Sequence, residues 1–255
     1  MQAFLLDRIA VIAAALHCDK HMNQLKEIVQ ILYTALVWLN LPVTQPVPLG
    51  DGTTAAPYKP VWPHPCVHWA AACAAHLDWC LALGTGLAAA YTERYGRKHL
   101  CAYHLDHIVA HVAAVRSQLP PTPASPAAWL ASLSDKGRES CAPRLCTHDV
   151  PDGCTFAILA IDNPNCLVHN ADGQVLGIAS YRKFYVHKAK HMFCMKWHKT
   201  FDVPSALSGP MAAYWPDEAA LVGKRKRFLD ESDASSVESV ESVETVKSVK
   251  SVTVS

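Results

Sequence analysis

Apolar residues recur on a helical period through much of the chain. Between positions 20 and 39, Leu25, Ile28, Leu32, Ala35 and Leu39 fall on one face. Asn23, Glu27, Gln30 and Thr34 fall on the opposite one, the pattern of an amphipathic helix. A second, longer helix is predicted over 65–95, with a break near Gly84 and Gly86. A third is predicted over 99–118, ended by Pro120, Pro121, Pro123 and Pro126. A last helix is predicted over 178–199. Residues 41–63 read as Pro-rich connection with a turn at Gly50, Asp51 and Gly52. The short apolar runs 156–161 and 175–178 flank a turn at Ala171, Asp172 and Gly173, and a small β-hairpin is expected there.

These elements predict a mainly α protein. Its compact helical domain would be made in two parts, 1–119 and 156–215, separated by a Pro-rich linker or insertion at 120–155. Residues 216–255 hold a basic run and a tail in which Val recurs every third position from Val237 to Val252. A period of three suits neither a helix stripe nor a strand, and without aromatics the tail is expected to be disordered.

Composition narrows the classes. Of 255 residues, 51% are hydrophobic, enough for a sizeable core. The 10 Cys form no Cys-x-x-Cys pair, which favours reduced thiols in a cytosolic or nuclear setting over a secreted disulfide scaffold. No stretch reads as a membrane span: His76 and Asp78 interrupt the longest one. Asp7 and Arg8 precede the short N-terminal apolar run, and no signal peptide is expected.

The formal net charge of +1 first speaks against a polyanion partner, but it sums unlike parts. Residues 230–255 carry six acids and two Lys, which leaves 21 basic and 16 acidic side chains before them. Lys224, Arg225, Lys226 and Arg227 form one run, which reads as a patch for a nuclear import receptor. Residues 181–199 hold six Lys or Arg, three His, five aromatics and no acid. Cations neutralise phosphates and aromatics stack on bases, so Tyr181, Arg182, Lys183, Tyr185, Lys188 and Lys190 are candidate DNA contacts. Arg94, Arg97 and Lys98 form a second candidate patch, although cations there also suit a helix C-terminus closed by Gly96.

Other chemistry finds little support. Cys101, His104, His107 and His111 lie near one face of one predicted helix, and His187, His191, Cys194 and His198 near one face of another. Four groups along one helix span too many turns to close around a single ion, so no metal site is assigned. No nucleophile elbow, Walker sequence or His-Glu-x-x-His occurs, and no cofactor is expected. A last cluster, His17, Asp19, His21 and Glu27, offers an acid–base group where Glu27 is buried enough to be tuned.

Four patches carry a resemblance. In order, they are CDKHMNQLKEIVQILYTA from Cys18, HPCVHW from His64, AYTERYGRKH from Ala90 and SYRKFYVHKAKHMF from Ser180. Together they resemble a family of uncharacterised proteins of large DNA phages and giant viruses. More distantly, the first and last are similar to the pyrimidine-dimer DNA glycosylase (endonuclease V-type) family of small helical enzymes. That resemblance implies a Schiff-base mechanism at the sugar C1′, with the terminal amine of Met1 as nucleophile and Glu27 assisting beside His21. It places DNA along Tyr181, Lys183, Tyr185 and Lys188. Glu27 stands one residue closer to Asp19 than in that family, a turn of about 100° on an α-helix.

The expected function is therefore a viral DNA-binding protein with a glycosylase-like helical fold, with base excision as its enzymatic extension. It would be located in the host nucleus or the virion. The alternatives are a non-enzymatic structural or interaction protein and a zinc-binding module.

Overall fold

The computed structural model describes residues 3, 5–41, 43–60, 64–123 and 125–191. The chain divides into units 1–215 and 216–255, and every described residue belongs to the first. The basic run Lys224–Arg227, the Val-rich tail and Met1 lie outside the described residues.

The described part is mainly helical, as its periodicity predicts. Its helices are α1 (Ala10–Ala15), α2 (Gln24–Trp38), α3 (Pro65–Ala70), α4 (Ala74–Tyr95), α5 (Leu100–Arg116), α6 (Pro126–Ser132), α7 (Asp135–Cys141) and α8 (Gly177–His191). A 3₁₀ turn, Asp19–Asn23, leads into α2. α2 lies at the centre, against α3, α4 and α5. It buries Leu25, Ile28, Val29, Ile31, Leu32 and Leu36, more than the single apolar stripe of a surface helix.

The break in the predicted 65–95 helix falls at 71–73, not at the glycines. α4 runs unbroken through Gly84 and Gly86. Both are packing positions. A Cβ on Gly86 would stand 2.8 Å from the Ala14 Cβ of α1, and one on Gly84 3.0 Å from Leu105 of α5. The missing side chains let α1 and α5 approach α4 closely. The break upstream is stabilised from a distance. The amides of Ala74 and Ala75, which have no partner within the helix at its first turn, donate to Pro120 O at 2.9 Å and Pro121 O at 3.2 Å.

The segment 120–155 is therefore more than a linker. Ser125 caps α6 by accepting from Ala128 N, and Ser134 caps α7 by accepting from Gly137 N. Trp129, Leu133 and Cys141 join the core, and the Trp129 ring lies 4.5 Å from that of Phe156.

Strands are short. β1 (Val47–Pro48) and β2 (Thr54–Ala55) pair antiparallel around the turn at Gly52, whose φ is 83°. β3 (Leu145–Cys146) pairs antiparallel with β4 (Ala157–Ile158). The expected hairpin between 156–161 and 175–178 does not form. The first run takes β3 as its partner, Val175 bridges His169, and Ile178 lies inside α8. Apolar runs of this length carry no information about which strand lies opposite. Among the described residues, no helix is long and apolar enough to cross a membrane.

Two consequences are measurable. Gly86→Ala gains helix propensity but forces α1 away from α4, so it should cost about 1–2 kcal/mol by chemical denaturation. Burial also lowers the His17 imidazole to about 3 and the His76 imidazole to about 4. Unfolded, both titrate near about 6.5. Below that pH the unfolded chain takes up protons that the folded chain refuses. Stability should fall between about pH 6.5 and 4, by about 1.4 kcal/mol per pH unit for each histidine. Melting temperatures across this window check it: His76→Gln should flatten the slope, and an unchanged slope contradicts the assignment.

Candidate functional site

A polar cavity of about 380 Å³ opens where α2, the start of α3, the α7 terminus and the chain after β4 meet. Glu27 of α2, His64 and Pro65, Ser140 and Arg144, and Ala160 and Asp162 line it. Each element positions its side chain for a local reason. His64 caps α3, with Nδ1 accepting from Cys66 N at 3.2 Å, and Pro65 takes the first helical position. Arg144 follows α7 and donates from Nη1 to Ser140 O at 2.8 Å. A cation at that helix terminus is favoured by the dipole. Ala160 is held by Tyr181, whose hydroxyl accepts from Ala160 N at 2.9 Å and donates to Ile158 O at 3.1 Å.

Glu27 is half-buried and accepts a hydrogen bond from Gln24 Nε2 at 3.1 Å. Lys188 of α8 stands near this carboxylate and near Asp162. Burial lowers its ammonium pKa, and the two carboxylates oppose the shift. Its Nζ lies 4.7 Å from the Phe184 ring centroid. The thiols of Cys66 and Cys141 are each pushed up to about 11 by burial, so neither is an activated nucleophile. The site thus holds a carboxylate suited to proton transfer and a guanidinium suited to an anionic oxygen.

The winding of the chain before α2 affects the direction of Glu27. Residues 19–23 form a 3₁₀ turn, which advances about 120° per residue where an α-helix advances about 100°. Over the four steps from Asp19 to Asn23 the difference is about 80°, which turns Glu27 further around the axis from Asp19 than an unbroken α-helix would.

The other predicted residues separate. His21 is not among the cavity's lining. Its Nδ1 lies 3.4 Å from Cys18 Sγ and its ring 4.9 Å from Tyr185. Tyr181 and Tyr185 have no exposed surface, and the Tyr185 hydroxyl accepts from Cys18 N at 2.7 Å. The aromatic side of α8 is core, which corrects its assignment to nucleic acid. Arg94 is likewise buried. It donates to His17 O at 2.7 Å, Asp19 Oδ1 at 3.2 Å and Ala15 O at 3.2 Å. Arg182 is committed to Leu6 O at 2.7 Å and Asp7 at 2.6 Å. Arg97 is exposed, and Lys98 pairs with Asp106 at 2.7 Å. Lys183 and Lys188 are half-buried, while the side chain of Lys190 lies outside the described residues.

Among the described residues, no three His, Cys, Asp or Glu side chains converge as a metal would require. His104 Nδ1 meets Tyr33 OH at 3.1 Å, and Cys101 Sγ meets Tyr58 OH at 3.5 Å. Compared with known proteins, the chain matches no family model, no curated protein and no solved structure.

Sequence reading singled out Glu27 and passed over Arg144, Asp162, Ser140 and Gln24. They come from separate segments and share no spacing. His64 stood inside a quoted patch but without a role. Because Tyr181 holds the cavity wall from the core, Tyr181→Phe should cost about 1–3 kcal/mol of stability. Chemical denaturation checks this, since removing the hydroxyl of a surface tyrosine would leave stability unchanged.

Proposed function

We propose that the protein binds DNA across the mouth of this cavity and carries out base excision there, with Glu27 as the acid–base group. The observation that carries the reading is Glu27's place in the cavity. The carboxylate that the resemblance to the endonuclease V-type glycosylases assigns lines a polar hollow beside Arg144, with Lys188 nearby. Arg144, Lys183, Lys188 and the exposed Arg97 are the cations this reading assigns to phosphates. The aromatic face of α8 takes no part.

The chemistry follows the Schiff-base scheme. A neutral amine, the terminal one at Met1 in the resemblance, adds to C1′ as the bond from C1′ to the base breaks. The base leaves with a proton. The C1′–O4′ bond then opens as the nitrogen loses a proton and O4′ gains one, giving an imine and a C4′ hydroxyl. Removal of a C2′ proton expels the 3′ phosphate. Glu27 moves the protons at these steps. Entry to a host nucleus would rest on Lys224–Arg227.

A second reading, a non-enzymatic interaction protein, is favoured by Ile9, Val11 and Ile12, which are exposed together at α1.

Borohydride trapping distinguishes the two. The full chain, its terminus confirmed by mass spectrometry, should form a covalent adduct with duplexes carrying an abasic site or a pyrimidine dimer. Glu27→Gln should slow trapping about 100-fold. Arg144→Ala should weaken affinity and reduce the slope of log K against log salt by about one. No adduct with wild type removes the enzymatic reading, and an unchanged salt slope removes Arg144 from the DNA face.

A further inference from the structure

A buried amide behind Glu27 is satisfied on one side only. Gln24 precedes Glu27 by three residues on α2, which puts both on one helix face. It is 5% exposed, unusual for a residue type that mostly stays at the surface. Its Nε2 donates to Glu27 Oε2 at 3.1 Å. Its Oε1 is buried and finds no hydrogen-bond partner among the described residues. Turning the amide over would set Oε1 against a carboxylate oxygen, acceptor to acceptor. The carboxylate therefore fixes the amide's orientation, and the unmet acceptor is a consequence of holding Glu27.

An apolar side chain of similar length at this buried position would strand no acceptor. Burying one unmet is unfavourable for the fold. Side chains that cost stability in this way are found where function needs them.

We infer that Gln24 is a positioning residue. It orients the Glu27 carboxylate toward the cavity, acting on the reaction only through that group. The inference deepens the base-excision reading and rests on it for the reaction that Glu27 serves.

Three readouts test it, using the full chain. Gln24→Met keeps the length of the side chain and removes both polar atoms, so its melting temperature should equal or exceed that of wild type. A fall of more than a few degrees would make the amide a structural group and overturn the inference. In single-turnover trapping on abasic duplex, Gln24→Met should slow the rate constant about tenfold with the dissociation constant little changed. In the Glu27→Gln background the same substitution should have no further effect, because a group that acts through another is silent once that group is gone. An additive loss in the double variant, or an unchanged rate in the single one, overturns it. If wild type forms no adduct, the base-excision reading fails by itself. The melting comparison still decides whether the amide serves the fold.

Discussion

Arg94 carries a full charge on a side chain that has no exposed surface. Such a charge is tolerated only where several acceptors surround it. Here they are the Ala15 and His17 carbonyls and the Asp19 carboxylate. The two carbonyls lie at the end of α1, where a helix leaves acceptors unmet. The guanidinium, projecting from the last turn of α4, ties the end of α1 to the 3₁₀ turn before α2. That turn leads directly into α2, the helix that carries Glu27. A cation that reads as a phosphate contact in the sequence is thus an internal tie between α4, the end of α1 and the turn before α2.

The same substitution of core for surface occurs on α8. Aromatics on one side and cations on the other describe a nucleic-acid helix and a core helix equally well, since both need one apolar face. Tertiary packing decides between them. The Tyr181 and Tyr185 hydroxyls meet backbone groups of residues 160, 158 and 18. Those partners lie 21, 23 and 167 positions away in the chain, and no local pattern announces them. The absence of acids over 181–199 still marks a positive segment, but part of that charge is internal: Arg182 pairs with Asp7 near the other end of the described chain.

Local periodicity was a good guide to α2, α5 and the body of α4, because their apolar spacing is set by the helix itself. It misplaced the break in 65–95, because a glycine inside a helix reads as weakness while its use here is close approach to Ala14 and Leu105. It also read 120–155 as connection, since prolines signal termination. In the fold, Pro126 opens α6 at a position where its missing N–H costs nothing. The carbonyls of Pro120 and Pro121 complete the start of α4. Proline's lost donor is visible in the sequence, while the use of its remaining acceptor depends on a partner far away in the chain.

The sequence by itself determined the helical class, the places of α2 and α5, the segregation of charge and Glu27 as a carboxylate on a half-polar face. These follow from residue chemistry and from spacing within one element. The tertiary structure alone decided which cations are buried, which aromatics are core, and that Glu27 shares a cavity with His64, Ser140, Arg144 and Asp162. Those outcomes depend on contacts between segments far apart in the chain. Such contacts are fixed by the competition of all buried surfaces at once, which a local pattern does not record.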